Sequence, residues 1–271
     1  MGCAELINDR KGMKEMKKRF WKDRIKKAVK ILTGGGWNYY GTYSYSQEGE
    51  DIIAVCLLNQ LKKREISYCD IGANEPIRLN NTYLLENEFT IKRGVLVEPN
   101  PILFEELKKV RKSNVCLNIG VCGGEKAELN RMKFYIMNSP TLSSFSSESV
   151  TEAQNRGYKI KKEIEVEVKD VNDIFEQYFY ADGFEIDFLN LDVEGMDFEI
   201  ISSIDFDKYH PLIICVETCG FYTGKDADGM QIINFLLSKG YIVYADTFLN
   251  TIFVRRTEME KYCKEVKTIY P

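Results

Sequence analysis

The sequence predicts an α/β fold: a mostly parallel sheet with helices on both faces. Three observations carry this. Apolar runs of strand length alternate with segments of helical spacing, the pattern of successive βαβ units. Four of those runs stop on an acid, at Asp70, Glu98, Asp192 and Glu217. The last two runs, 241–245 and 251–254, lie too close together to hold a helix between them. They read as a hairpin, which makes the final strand antiparallel to the others.

The elements follow in order. Residues 10–30 carry eleven Lys and Arg against two acids, Glu15 and Asp23. Met13, Met16, Phe20, Trp21, Ile25, Ala28, Val29 and Leu32 fall at helical spacing, so this is a basic amphipathic helix, closed by Gly34-Gly35-Gly36. An aromatic cluster follows, Trp37, Tyr39, Tyr40, Tyr43 and Tyr45. Ser46 is the expected N-cap of a helix over 47–63. The first strand is 66–71. A helix carrying Tyr83, Leu84 and Leu85 precedes the second strand, 94–98. Asn100-Pro101 starts a helix that runs to about Arg111, through a capping side chain and a first-turn proline. A third strand is predicted over 115–121 and an extended segment over 129–137. Residues 139–149 are rich in Ser and predict a loop. Residues 164–168 alternate with period two, a strand with one wet face at an edge or in a hairpin. A helix over 171–180, a strand over 186–191, a helix holding Phe198, Ile200 and Ile201, and a strand over 212–216 complete the centre. A helix over 230–238, capped by Gly240, precedes the hairpin. Residues 1–44 form an N-terminal extension and 45–271 the main domain.

Composition narrows the partners. The formal charge of -4 is unevenly spread, since 37 basic and 41 acidic residues leave 26 and 39, or -13, once 10–30 is set aside. That acidic remainder argues against nucleic acid. The basic helix docks its apolar stripe on the domain or on a second copy, or lies on an anionic membrane surface. No apolar run approaches the ~20 residues of a membrane span. The first residues lack a signal-peptide core, and Leu6 breaks the myristoylation pattern begun by Gly2. Eight single cysteines without a Cys-x-x-Cys suit free thiols in a reducing cytoplasm, with Cys56, Cys69, Cys116 and Cys215 in apolar runs.

The chemistry lies between Ile66 and Pro101. One strand ends on Asp70-Ile71-Gly72, and about one βαβ unit later another ends on Glu98. Neighbouring parallel strands that each deliver a carboxylate make a nucleoside site. The glycine turn lets a ligand approach bare backbone, and the second acid can accept both ribose hydroxyl hydrogens. The same acids also have plain readings: Asp70 as a helix cap, Glu98 as a surface acid before a turn. A nicotinamide enzyme would share this geometry, but no GxGxxG is present.

Further stretches complete a pattern: Tyr45-Ser46-Gln47-Glu48-Gly49-Glu50-Asp51, Asp70-Ile71-Gly72-Ala73-Asn74, Asn81-Thr82-Tyr83, Val97-Glu98-Pro99-Asn100-Pro101, Ser143-Ser144-Phe145 and Leu191-Asp192-Val193-Glu194-Gly195. In order and spacing they resemble the FkbM-type family of S-adenosylmethionine (SAM)-dependent methyltransferases over about two thirds of the chain. The resemblance implies a Rossmann-like, seven-stranded methyltransferase sheet. It also implies methyl transfer to oxygen, usually on sugars or natural products, here a saccharide or glycan precursor in polysaccharide biosynthesis. A non-catalytic SAM-binding scaffold is the alternative. Asp70, Gly72 and Asn74 would border the methionine and ribose parts of SAM, and Glu98 the ribose hydroxyls. Asn118, in the 118–122 strand end, would lie at the adenine edge unless that strand is plain core. Gln47 and Asp51 would close over SAM or shape the acceptor pocket, or else form an exposed helix face. Ser143, Ser144 and the 139–149 and 221–228 loops would cover the acceptor, with Tyr222 stacking on a sugar.

An alcohol acceptor must lose its proton. Asp192, Glu194 and Glu217 are the candidate bases at strand carboxyl ends. His210, the single histidine, precedes a strand and so falls at the wrong end. Asp192 and Glu217 would also suit a Mg²⁺ ion, although the reaction does not demand one.

Overall fold

The computed structural model describes residues 43–218 and 227–269. The helix expected over 10–32, the glycines at 34–36, Trp37, Tyr39, Tyr40 and Tyr222 lie outside the described residues. In chain order the elements are α1 (Glu50–Gln60), β1 (Glu65–Ile71), α2 (Tyr83–Glu88), β2 (Thr90–Val97), α3 (Pro101–Val110), β3 (Val115–Leu117) and β4 (Gly120–Cys122). After these come β5 (Arg131–Met137), α4 (Ser147–Asn155), β6 (Ile160–Asp170), α5 (Val171–Tyr178), β7 (Phe188–Leu191) and α6 (Asp197–Ser203). The chain continues through β8 (Ile213–Glu217), α7 (Ala227–Ser238), β9 (Tyr241–Asp246), β10 (Asn250–Arg255) and α8 (Arg256–Ile269).

The main sheet has seven strands in the order β3-β2-β1-β7-β8-β10-β9. Pairing is parallel from β3 through β8, and β10 runs antiparallel to both β8 and β9. The predicted hairpin is therefore present, with its second strand slotted inside its first. Order reverses beside β1: the chain steps out to β2 and β3, then returns to β7 on the other side. In such sheets the crevice outside the strand carboxyl ends at the reversal is the ligand site.

Both faces are covered, which is why the strands read as nearly continuous apolar runs. Along β1 the faces alternate. Ile66 and Tyr68 pack with Leu57 and Leu58 of α1, Leu85 of α2 and Leu107 of α3. Cys69 and Ile71 pack into the opposite layer with Phe175 of α5, Ile200 of α6 and Leu236 of α7. Among the described residues no helix is long and apolar enough to cross a membrane.

Several expected boundaries move. The single strand predicted over 115–121 is two strands in two sheets. The Asn118 amide donates to the carbonyls of Glu98 at 2.9 Å and Pro99 at 3.1 Å, so pairing to β2 stops there. Beyond it, β4 pairs with β6 in a second sheet ordered β4-β6-β5. β6 is thus central rather than an edge. Its period-two pattern arises because one face packs Phe134, Ile136 and Val166 over Phe145. The 139–149 loop ends at Ser146, whose hydroxyl accepts from the Ser149 amide and starts α4. Helix α1 begins at Glu50 with Gly49 as its N-cap, because Asp51 gathers the Ser44 and Ser46 hydroxyls and the Tyr45 amide into a tight entry. Cys56 is exposed on α1, whereas Cys69, Cys122 and Cys215 are buried free thiols. Helix α8 was not anticipated; its Met259 packs into the same apolar layer that α1, α2 and α3 cover.

Gly72 sets the spacing between β1 and β7. Its φ is +86°, and a Cβ there would stand 1.8 Å from the carbonyl oxygen of Asp192. The glycine serves contact between two strand ends, beyond any ligand approach. Gly72→Ala is expected to destabilise the fold by about 2–5 kcal/mol, from left-handed strain plus overpacking. Chemical denaturation of the variant checks this; an unchanged midpoint would show that the turn can open.

Candidate functional site

The floor of the crevice is a buried polar network at the end of β1. Asp70 is 1% exposed. Its Oδ2 accepts from the Thr82 hydroxyl at 2.6 Å and the Asn80 amide at 3.4 Å, and its Oδ1 from the Asn190 amide at 2.9 Å. Asn190 in turn accepts from Asn81 at 2.9 Å. Burial lifts the Asp70 pKa above the ordinary carboxylate range, against the pull of Thr82, Arg111, Asn190 and Asn80.

Behind this network lies Arg111, the residue after α3, 1% exposed. Its Nε donates to Glu86 at 2.6 Å. Nη1 donates to the Pro76 carbonyl and to Asn80 Oδ1, both at 3.1 Å. Nη2 donates to Tyr68 Oη at 2.9 Å and Thr82 Oγ1 at 3.0 Å. All five guanidinium hydrogens have acceptors, the condition for holding a cation out of water.

Glu98 follows β2 and is 5% exposed. The Asn100 amide donates to its Oε1 and the Asn74 amide to its Oε2, each at 2.8 Å. Two backbone donors fix the carboxylate in place. Burial raises its pKa to about 7 despite them. Asn74 takes a left-handed φ of 50° to reach it. The buried Asn74 Oδ1 has no protein partner, and Asn74 lines the cleft.

The turn after β7 carries the third group of acids. Asp197 accepts from the Val193 amide at 3.1 Å and the Gly195 amide at 3.2 Å, closing the turn. Glu194 sits in it at φ 57°, a left-handed conformation. Oxygens of Asp192, Glu194 and Glu217, all half-buried, lie within 4.8 Å of one another, so the group could also hold a cation. Burial and then the neighbouring acids, Asp197 first, raise Asp192 to about 7. Burial, Asp192 and Glu217 hold Glu194 well above its usual range.

Most of these acids line one cleft at the carboxyl ends of β1, β2 and β7. Asp70, Gly72, Asn74, Glu98, Asp192 and Glu194 line it, as do Gln47 and Ser143. The structure therefore gathers most of the predicted residues. Others serve differently. Asp51 is fully buried and holds the 44–46 segment, neither exposed nor at the cleft. Asn118 braces the chain after Glu98, and its neighbours Ile119, Gly120 and Val121 line the cleft instead. The Ser144 hydroxyl donates to the Glu194 carbonyl at 2.6 Å. His210 is exposed before β8, at the far end from the cleft. Sequence reasoning missed Arg111 and Asn190. It also missed Phe145 as a cleft wall; a Cβ on Gly120 would meet its ring at 2.4 Å.

The family model of the methyltransferase FkbM domain matches residues 70–243, well over half of the chain. Similar solved structures include the methyltransferase FkbM from Methylobacillus flagellatus KT, at 11% identity and a TM-score of 0.42, covering 78% of this chain and 56% of that one. The present chain thus matches little more than half the length of that protein. An O-methyltransferase from Bacillus cereus in complex with SAH is 11% identical with a TM-score of 0.37, covering 79% and 82% of the two chains. Trm1 from Pyrococcus horikoshii with S-adenosyl-L-methionine is 14% identical with a TM-score of 0.39, covering 84% and 60%. No curated protein matches the chain in sequence. The domain match alone carries the family assignment.

The raised acids make stability fall with pH. A carboxyl whose folded pKa exceeds its unfolded value binds its proton more tightly in the fold. Its contribution is complete below about pH 4 and is lost as pH rises through the folded value. With Glu98 and Asp192 at about 7 and Asp197 at about 6, that window runs from about pH 4 to 7. Glu98→Gln, which cannot ionise, is expected to gain on the wild type by about 1–3 kcal/mol between pH 5 and pH 8. Denaturation curves at both pH values check it; a gap independent of pH would mean that Glu98 titrates normally.

Proposed function

Since the chain belongs to the FkbM-domain methyltransferase family, we propose that it transfers a methyl group to a hydroxyl oxygen, that of a saccharide or glycan precursor. S-adenosylmethionine is the donor, and when bound its sulfonium supplies an activated methyl group. The observation that carries the oxygen reading is the gathering of Asp192, Glu194 and Glu217 from adjacent strand ends, with oxygens within 4.8 Å of one another and with Asp192 and Glu194 lining the cleft.

The residues at the strand ends fit the donor. Glu98, already oriented by two amides, has acceptor capacity left for the ribose hydroxyls. The unpartnered Asn74 Oδ1 offers one more acceptor. Ile119, Val121, Phe134 and Phe145 offer an apolar wall suited to an adenine ring. Asp70 and Asp192 supply negative charge for the cationic end.

On the acceptor side the carboxylate group takes the proton. A neutral hydroxyl is a weak nucleophile, and a base works best when its pKa lies near the working pH. Burial, then mutual repulsion, brings Asp192 to about 7 and lifts Glu194 above its usual range. Glu194 is the favoured base, with Glu217 orienting the acceptor. Ser143 lines the acceptor's path in this reading, and the part given to Tyr222 rests on the sequence alone. The basic segment over 10–30 provides peripheral attachment to an anionic surface or assembly with a second copy.

Three outcomes are expected. Glu98→Ala weakens SAM binding by about 1.5–3 kcal/mol by calorimetry, through loss of charge-assisted hydrogen bonds; unchanged affinity would remove Glu98 from the site. Glu194→Gln keeps SAM affinity within about 1 kcal/mol but slows methyl transfer by ~10²-fold, and EDTA leaves the wild-type rate unchanged. Full activity in that variant would refute Glu194 as base, and chelator inhibition reversed by Mg²⁺ would recast the acids as ligands. Deleting residues 1–36 preserves SAM binding while altering liposome sedimentation or light-scattering mass; lost SAM binding would place that segment in the core.

A further inference from the structure

Arg111 takes no part in the reading above, yet its contacts converge on the residues that hold Asp70. We propose that Arg111 is a positioning residue of the donor site: through Thr82 and Asn80 it fixes Asp70 as an oriented anion that receives the ammonium group at the donor's amino-acid end. This rests on the reading of the cleft as the SAM site.

Hydrogen-bond direction fixes the arrangement. An arginine nitrogen can only donate. Nη2 donates to Thr82 Oγ1 at 3.0 Å, which engages the hydroxyl oxygen and leaves its one proton to give. That proton has two acceptors in reach, Asp70 Oδ2 at 2.6 Å and Asn80 Oδ1 at 3.0 Å. Asn80 Oδ1 is already taken by Arg111 Nη1 and by the amides of Thr82 and Tyr83. The Thr82 proton therefore goes to Asp70. The same contact fixes the Asn80 amide, so that its nitrogen donates to the Ala73 carbonyl at 2.9 Å and faces Asp70 at 3.4 Å. Asp70 Oδ1 receives the Asn190 amide and keeps capacity for one more donor, and Asp70 lines the cleft. Asp70 acts on the acids Glu98 and Asp192, while Arg111 is the cation acting on Asp70 itself. A lysine keeps the charge but cannot reach all five acceptors from one nitrogen.

The test is calorimetric binding to the full chain of SAM, its demethylated product, and 5′-methylthioadenosine, which lacks the amino-acid end. Arg111→Lys and Thr82→Val are expected to weaken the first two by about 10-fold or more, while 5′-methylthioadenosine stays within about 2-fold. Thr82→Ser, which keeps the hydroxyl, is expected to stay within about 3-fold of wild type for all three. Should Arg111→Lys fail to fold, the Thr82 pair carries the test. Wild-type affinity for SAM in folded Thr82→Val or Arg111→Lys overturns the proposal. Equal weakening of 5′-methylthioadenosine also overturns it, since that marks a merely structural role. A wild-type chain that binds no SAM overturns the donor-site reading itself, an outcome distinct from both.

Discussion

A guanidinium sealed from water is the constraint around which one side of this molecule is built. Arg111 must find five acceptors, and it finds them on Tyr68 of β1, Glu86 of α2, and the Pro76, Asn80 and Thr82 loop between. Removing any one leaves a buried donor unsatisfied, which costs more than the bond itself contributes. The loop from Ala73 to Thr82 has little regular structure, so these contacts do for it what a ladder does for a strand. Glu86 answers the cation and also accepts from Tyr68 and from the Asn114 amide, both at 2.5 Å. An ion pair of this kind, with Arg111 sealed and Glu86 half-buried, adds less stability than its geometry suggests, because the guanidinium is desolvated. Its worth here lies in fixing one arrangement of many polar groups.

At the carboxyl ends of β1 and its two neighbours the fold concentrates like charges. Asp70, Glu98, Asp192, Glu194 and Asp197 all lie at strand ends or in the turn beyond β7, and burial raises each of them. Such an arrangement opposes folding at neutral pH, as strained functional sites commonly do. Glu50 shows the contrary case. Burial pushes its pKa up, but hydrogen bonds from Asn250, the Glu48 amide and Thr247 outweigh it and leave it lowered. Glu50 is a brace, whereas Asp70, Glu98 and Asp197 are hydrogen-bonded too, but burial outweighs their donors and leaves them raised.

What the sequence made legible follows from the range of each interaction. Strand ends at Asp70, Glu98, Asp192 and Glu217 were readable because an apolar run that stops on an acid is a local signal. Alternation and one short hairpin made the mostly parallel sheet and its antiparallel last strand readable, whereas the order reversal beside β1 and the insertion of β10 between β8 and β9 were not. The break at Asn118 was not readable, since it depends on carbonyls some twenty residues earlier in the chain. Arg111 stands among Lys108, Lys109 and Lys112 and looks like one more solvated base; only its neighbours in space distinguish it. Asp51 read as a helix-face residue because helical period says nothing of a loop folding back onto it. The 139–149 segment was read as loop from its serines, although Ser146 is the kind of residue that begins a helix. The roles expected of Tyr222 and of residues 10–32 fall on residues the structure does not describe.

The bond from the Ser144 hydroxyl to the Glu194 carbonyl, with Gly195 pressed so close to Ser149 that a Cβ would stand 2.2 Å from its Oγ, ties two parts of the chain. The segment between β5 and β6 and the acid-bearing turn after β7 are mechanically one piece. Sequence drift in that segment, which is the natural way to reshape a pocket for a new acceptor, drags the backbone of Glu194 with it. Evolving a new acceptor on this scaffold therefore means retuning two properties together, the shape of the wall and the place where a proton is received.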